Sequence, residues 1–343
     1  MRVMVTGATG FIGYHTALAL LEHGHEVCVL VRSVDKLLNL FGEDRFAGVV
    51  RGDITDSAAV ARAVAGCDAV VHSAAMVSTS AGDADRVYHT NVEGTRRVIG
   101  EALEAGARQV IHVSSITALY DPAAERLDEN SAPGPGIARS GYGRSKIACE
   151  HMLREFQAAG QPVHLTYPAA VIGPDDPALT EPHRGILALL LGFIPIIPGS
   201  GNQYVDVRDI AEVHRRLLEA PPGADRFPLG GTFLSWPDHA RYLRQLTGRR
   251  FLTLPVSGGL TRAAGTLMDR LGPHLPRLAE QLPLSGEGCQ YASHWVPLDN
   301  SHVERTLDFR FRPIEESLRD TIIWLQEAGH LSPGLAGRLA QSR

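Results

Sequence analysis

Cysteine is scarce in this chain: four in 343 residues, at Cys28, Cys67, Cys149 and Cys289. No two form a CxxC pair, and Cys28 lies inside an apolar run that reads as a buried strand. A disulfide framework is therefore not expected, and a reduced, cytoplasmic setting is. Charge of either sign is balanced to a net −5, with no tract of lysine and arginine, which argues against nucleic acid as a partner. Long apolar runs are missing too. Gly185 to Pro198 (GILALLLGFIPIIP) is too short to span a bilayer and contains two prolines, and Leu260 to Leu284 is broken by arginines, acids and prolines. No transmembrane span is predicted, and peripheral membrane contact stays open. The strand pattern begins at Met1, where a leader peptide would need room. Histidine is plentiful, at fifteen, but lacks ligand spacing. His23 and His25 bracket a turn glycine, His72 and His112 end core strands, and no HxxxH pair stands beside a carboxylate, so no metal site is expected.

What is present is alternation. Short apolar runs at 2–7, 26–32, 49–53, 69–75, 109–115 and 162–168 read as strands. Helical patterns at 11–24, 58–65, 83–107 and 141–159 fall between them. This order predicts an α/β fold: a doubly wound, Rossmann-type parallel sheet covered on both faces. After Pro168 the rhythm breaks and proline and glycine become dense. Helices are expected at 207–218, 238–246, 260–271 and 314–328. The expected division is a dinucleotide-binding core over 1–168 and a smaller substrate-binding lobe of loops and helices over 169–343. A segment near 203–220 is expected to return to the core. Ligands bind at the carboxyl edge of such sheets.

Gly7-Ala8-Thr9-Gly10-Phe11-Ile12-Gly13 follows the first strand and opens the first helix. Gly7 permits the tight turn, Gly10 lets a pyrophosphate approach the helix N-terminus, and Gly13 lets helix and sheet pack closely. At the end of the second strand stand Arg32 and Ser33, with Lys36 one turn on, where an acid would select an unphosphorylated ribose. A guanidinium pairs with a phosphate through two parallel hydrogen bonds, so NADP(H) is expected ahead of NAD(H). Tyr142 and Lys146 share one face of a predicted helix. An ammonium beside a phenol favours the phenolate, and such a tyrosine can exchange a proton with a carbonyl oxygen.

The TGxxGxxG spacing resembles the extended short-chain dehydrogenase/reductase superfamily, also known as the NAD-dependent epimerase/dehydratase superfamily. Several later segments are similar to it in order: Gly52-Asp53-Ile54, His72-Ser73-Ala74-Ala75, Asn91-Val92-Glu93-Gly94-Thr95, Val113-Ser114-Ser115, Tyr142 to Lys146, and Tyr167 to Pro174. Trp295 to Leu325 looks like the closing Asp-x-Ser, strand, helix segment. The resemblance implies that Asp53 and Ile54 flank an adenine and that Ala74 and Ala75 lie along the nicotinamide. It places Ser73, Asn91, Ser114, Tyr142, Lys146, Pro168, Ala169 and Val171 along the cofactor, and makes Ser115 the third catalytic group with Tyr142 and Lys146. Ser114 is the fallback for that role. Asn91 reads equally as a relay or positioning group and as a helix-interior structural residue. The paired helices 83–107 and 141–159 imply that a homodimer is possible.

Two departures bear on substrate. Asn202 stands where sugar-nucleotide enzymes carry a diphosphate-binding arginine, and Gly288 to His294 lacks a second one. Arg208 is the compensating candidate. Tyr167 replaces an arginine found in much of the superfamily. The chain looks most similar to the dihydroflavonol-4-reductase-like group, which implies NADPH-dependent reduction of a ketone or aldehyde on an apolar small molecule. An apolar pocket is expected above the nicotinamide, built from Gly185–Pro198 and closed by Leu260–Leu284; a core or subunit-contact role is the equal alternative for the first run. The alternatives are a sugar-nucleotide epimerase or dehydratase holding NAD tightly, and a non-catalytic NADP-binding regulator. An intact Tyr142/Lys146 pair argues against the regulator.

Overall fold

The structure, a computed structural model, describes residues 1–77, 81–135, 138, 140–271 and 286–341. Six strands build the main sheet in the first half: β1 (Arg2–Thr6), β2 (Glu26–Val31), β3 (Gly48–Arg51), β4 (Ala69–His72), β5 (Gln109–Val113) and β6 (Val163–Pro168). Three more, β7 (Ala170–Ile172), β8 (Phe193–Ile196) and β9 (Gly201–Asp206), leave the sheet before β10 (Arg226–Leu229) returns to it. The order across the sheet is β10-β6-β5-β4-β1-β2-β3. Every pairing in it is parallel.

Continuous apolar strands are what two covered faces require, and Val3, Met4, Val5, Val70, Val71 and Ile111 are fully buried. Helices α1 (Phe11–Glu22), α2 (Val34–Phe41), α3 (Ser57–Val64), α4 (Ala84–Glu104) and α5 (Gly141–Ala158) join the first strands. Helix α2 lies in a stretch the sequence pattern left blank. It is short, and Ser33 starts it by accepting a hydrogen bond from the Lys36 amide at 3.2 Å. Helices α4 and α5 meet closely at their N-termini, where a β-carbon on Gly141 would stand 2.2 Å from the Ala84 carbonyl oxygen. After α6 (Glu181–Leu191), helix α7 (Val207–Glu219) buries Ile210, Val213, Leu217 and Leu218 in the main core.

A second core lies beyond the carboxyl edge of the sheet, formed by Ile186, Leu187, Leu190, Ile194, Tyr204, Trp236, Leu318 and Ile322 among others. It is not made of loops and helices alone, as expected. With β11 (Thr232–Ser235), a three-stranded sheet β11-β9-β7 forms. With β12 (Leu252–Pro255), a pair β12-β8 forms. These strands are three to six residues long and interrupted or flanked by proline and glycine, so no alternation develops along them. The helices α8 (Trp236–Thr247) and α9 (Gly258–Leu271) follow. The expected strand of the closing segment is absent: residues 307–313 join the helix Ser301–Thr306 to the helix Ile314–Glu327 without one. Among the described residues no helix is long and apolar enough to cross a membrane.

Candidate active site

The glycine turn is shaped by its neighbours. Gly7 has φ +78°, and a β-carbon there would stand 2.7 Å from the Ala74 amide nitrogen. The loop from β1 and the exit of β4 are therefore in backbone contact. A β-carbon on Gly13 would lie 2.2 Å from the Gly7 carbonyl oxygen, while one on Gly10 would meet only that oxygen, at 3.4 Å. Gly10 is the N-cap of α1 and offers no side chain to it, so the first amides of the helix face outward beside an open approach. Thr9 and Ile12 are half-buried, and Phe11 is buried edge-on to His15 and His183. This cradle fits the pyrophosphate of a dinucleotide.

The other strand ends line the same edge. Arg32 and Lys36 are exposed and have no carboxylate partner among the described residues. Asp53 accepts hydrogen bonds from the Thr55 amide (3.0 Å) and hydroxyl (2.8 Å) through Oδ1, leaving Oδ2 out of that turn. Ile54 sits on Gly94 of α4, where a β-carbon would come within 2.4 Å of it. The β4 exit carrying Ser73, Ala74 and Ala75 is fixed from two sides. Thr6 Oγ1 accepts from the Ala74 amide at 3.1 Å, and Asn91 bonds both backbone groups of Met76, at 2.7 and 3.0 Å. Asn91 also donates to Ser145 Oγ at 2.9 Å. Its amide thus ties the β4 exit to α5, the helix of Tyr142 and Lys146, which favours the structural reading of this residue.

Tyr142 and Lys146 lie on one face of α5, started by Ser140, whose hydroxyl accepts from the Gly143 amide at 2.9 Å. Lys146 is buried and donates from Nζ to the Val113 carbonyl at 2.8 Å, with Nζ 5.7 Å from the centre of the Tyr142 ring. Burial lowers its pKa to about 8. The expected lowering of the Tyr142 phenol is not found. Burial pushes it up to about 12, against an interaction with the Ser115 hydroxyl that lowers it. The physical reason is that Lys146 turns its ammonium to a backbone carbonyl while the phenol sits in poorly solvated surroundings. Of the two serines, Ser115 is half-buried, caps the short turn Ile116–Ala118, and stands 3.2 Å from Thr117 Oγ1. Ser114 is buried, and its hydroxyl has no partner among the described residues. Pro168 ends β6, the Ala169 amide donates to the Leu229 carbonyl at 3.0 Å, and Val171 lies half-buried in β7. Tyr167 points away from the edge: its hydroxyl donates to Glu150 of α5 at 2.7 Å and is fully buried.

The lobe differs from expectation. The apolar run Gly185–Pro198 packs Ile186, Leu187, Leu189, Leu190, Ile194 and Ile197 into the second core, while Leu191 and Phe193 of the same run are exposed. Of the segment expected to close over the site, residues 272–284 lie outside the described residues; in α9 only Gly265 is buried. Instead the helix Gly286–Ser293 comes to the start of α5, where Glu287 Oε1 lies 3.0 Å from the position of a β-carbon on Gly143. Glu287 and Glu181 both act on Tyr142, and Tyr291 reaches Thr117 Oγ1 at 3.3 Å and Glu287 Oε1 at 3.2 Å. Sequence reasoning missed Glu287 and Tyr291, because GEGCQYAS carries no apolar period. Arg208 is held by Asp206 at 2.8 Å and Asp320 at 2.8 Å.

A parallel sheet with a glycine turn on its first strand, and a Tyr-x-x-x-Lys helix over its carboxyl edge, define an enzyme of the extended short-chain dehydrogenase/reductase type. The chain belongs to the NAD dependent epimerase/dehydratase family, matched over residues 3–230, and is an NAD(P)-dependent oxidoreductase. It is 27% identical over 333 residues to sterol demethylase protein B of Methylococcus capsulatus, covering 96% of this chain and 99% of the relative. It is 27% identical to cinnamoyl-CoA reductase 1 of Oryza sativa, covering 96% and 91%. It is 29% identical to the 2-alkyl-3-oxoalkanoate reductase of Stenotrophomonas maltophilia, covering 93% and 98%. Among solved structures, gox2253 superposes with a TM-score of 0.78 at 26% identity, covering 96% and 99%. A UDP-glucose-4-epimerase from Stenotrophomonas maltophila with bound NAD shares the fold at a TM-score of 0.73 and 21% identity, covering 96% and 99%.

Proposed function

We propose that the chain reduces a ketone or aldehyde on a largely apolar small molecule with NADPH. The observation that carries this reading is the engagement of Arg208. Its guanidinium is bound by two carboxylates, and Asn202 is neutral, so the positions expected to hold a sugar nucleotide's diphosphate offer no free cation. Arg32 and Lys36, exposed and without a carboxylate partner among the described residues, support a ribose 2′-phosphate at the other end of the cofactor, and two of the relatives named above are reductases.

When bound, the nicotinamide dinucleotide supplies the hydride. Tyr142 holds the proton for the substrate's carbonyl oxygen, and its raised pKa keeps that proton in place through neutral pH. Ser115 hydrogen-bonds the same oxygen. Lys146 fixes the α5 face against β5 through Val113, with its ammonium 5.7 Å from the centre of the Tyr142 ring. Gly7, Thr9, Gly10, Phe11, Ile12 and Gly13 hold the pyrophosphate; Asp53 and Ile54 bound the adenine pocket. Ser73, Ala74 and Ala75, with Pro168, Ala169 and Val171, line the nicotinamide end.

The test is a titration of the NADP-bound protein with UDP and, separately, with a bicyclic aromatic ketone at low salt, alongside NADPH oxidation. Ketone binding and turnover are expected. Micromolar UDP binding with no response to any ketone would replace this reading by the epimerase one.

A further inference from the structure

Helix α9 carries its apolar side outward. The helix Gly286–Ser293 packs along one face of it, and that face is polar or bare. A β-carbon on Gly265 would stand 2.7 Å from Cys289 Cβ, Arg262 Nη1 donates to Ser293 Oγ at 3.2 Å, and Asp269 Oδ1 accepts from the Gly286 amide at 2.9 Å. At about 3.6 residues per turn, Leu260, Leu267 and Leu271 fall on the opposite side. All three are exposed, Leu260 by 69% and Leu267 by 54%. A helix that serves only a protein core has the reverse arrangement. The strand pair β12-β8, two residues before α9, repeats the pattern. Phe193 stands opposite Leu252 in the register and both are exposed, while Ile194, on the other side of β8, is fully buried. Leu191 and Leu254, two residues from each, are exposed too. Of the thirteen large apolar side chains exposed among the described residues, seven lie in 191–193 and 252–271, so they form a patch and not a scatter.

The charge around these residues has one sign. Residues 184–198 and 249–271 contain five arginines, one aspartate and no other charged side chain, in a chain of net charge −5. Arg184, Arg250 and Arg270 are exposed and make no ion pair among the described residues, and the one acid, Asp269, is taken up by the Gly286 amide. A second copy of the chain fits this surface poorly, because an isologous contact would set arginines against arginines. An anionic lipid surface supplies acyl chains for the leucines and phosphates for the guanidinium groups. We infer that α9 and the outer face of β12-β8 dock the protein on a membrane that carries anionic lipids. The patch lies in the headgroup boundary and does not cross it. This docking is independent of what the active site reduces.

The experiment is flotation of the full chain with vesicles of phosphatidylcholine alone, and with vesicles in which about a third of the lipid is phosphatidylglycerol, at low and at high salt. The wild type is expected to float with the anionic vesicles, to bind the neutral ones about tenfold less, and to lose affinity as salt is raised. The triple variant Leu252→Ser, Leu260→Ser, Leu267→Ser should no longer float. The double variant Arg250→Glu, Arg270→Glu should bind anionic vesicles about tenfold more weakly or worse, with binding to neutral vesicles unchanged. All five side chains are exposed, so the midpoints of urea unfolding should hold. If the serine variant is unfolded, the arginine pair decides. A wild type that binds neither vesicle, or a serine variant that floats as well as the wild type, overturns the inference. So does a wild-type dimer in sedimentation equilibrium that the serine variant dissociates, since the patch would then belong to a second copy.

Discussion

At the scale of the residue, the proposed function rests on Tyr142 for the chemistry and on Arg32 for the choice of cofactor. Removing one hydroxyl in Tyr142→Phe leaves packing on α5 and the glycine cradle untouched. The expected outcome is a fall in kcat of about 10²–10⁴ with NADPH affinity retained, measured by stopped-flow turnover and cofactor fluorescence. A variant that keeps most of the rate would show that the proton comes from elsewhere. Arg32→Asp exchanges a phosphate partner for a repelling charge at an exposed position. The ratio of kcat/KM for NADPH to that for NADH should drop by about ten- to a hundredfold. The reading fails at once if the unmodified enzyme already works better with NADH. The placement of both residues was legible in the sequence: Tyr142 shares a face of α5 with Lys146, and Arg32 leaves β2 exposed. The phenol's titration was not. It depends on how deeply the ring is buried and on where the Lys146 ammonium turns, and neither is encoded in spacing.

At the scale of the element, the closest contact in the cradle is between α1 and the turn that precedes it. Gly13→Ala would place a carbon 2.2 Å from the Gly7 carbonyl oxygen, a distance that only a shift of helix or turn can relieve. Overpacking of this kind costs about 1–3 kcal/mol, and the shift also moves the amides at the helix start. We expect a lower midpoint in urea and weaker NADPH binding together. Lost stability with unaltered cofactor affinity would mean that the displacement is absorbed away from the cradle. The first half of the fold was readable because its strands are apolar throughout and its helices mostly long. What was unreadable shares a different property. Helix α2 has only eight residues, β7 to β12 are short and cut or flanked by proline or glycine, and Gly286–Ser293 begins with two glycines in three residues. Such elements are held by tertiary contacts, so their own sequences carry little sign of them. The run Gly185–Pro198 was visible as apolar, but apolarity alone does not tell a core from a pocket. Six of its side chains are buried with Trp236 and Leu318 in the second core, while Leu191 and Phe193 are exposed.

At the scale of the whole molecule, a group of imidazoles is kept neutral by burial. The pKa of His72 and that of His214 are lowered to about 3, and those of His164 and His239 to about 4, in each case by burial first. His112 is held well below the ordinary range for the same reason. In the unfolded chain each titrates near 6.5. Between that value and the folded ones the unfolded state binds more protons, so stability is full above about pH 6.5 and falls as the pH is lowered. Each histidine removes about 2 kcal/mol between pH 7 and 5, and five together rival the about 5–15 kcal/mol that separates folded from unfolded for a typical domain. Carboxylates with depressed pKa values, such as Asp176 and Asp206, lose their contribution only at lower pH. Urea unfolding at pH 7, 6 and 5 should show a steep loss of stability over this range. A flat profile would mean that the imidazoles gain protons without unfolding the chain.

The return of β10 to the main sheet has a consequence for the order of events during synthesis. β6 is complete once Pro168 has been added, yet its outer neighbour is not made until Arg226–Leu229, after β7, β8, β9 and the helices between them. Until then the growing chain carries an apolar strand with an unsatisfied edge, the kind of surface that pairs with other chains. A chain stalled between residues 168 and 226 therefore has the glycine cradle, Tyr142 and Lys146 in hand but an unsealed sheet, and translation past Leu229 is the point at which that edge can first be closed.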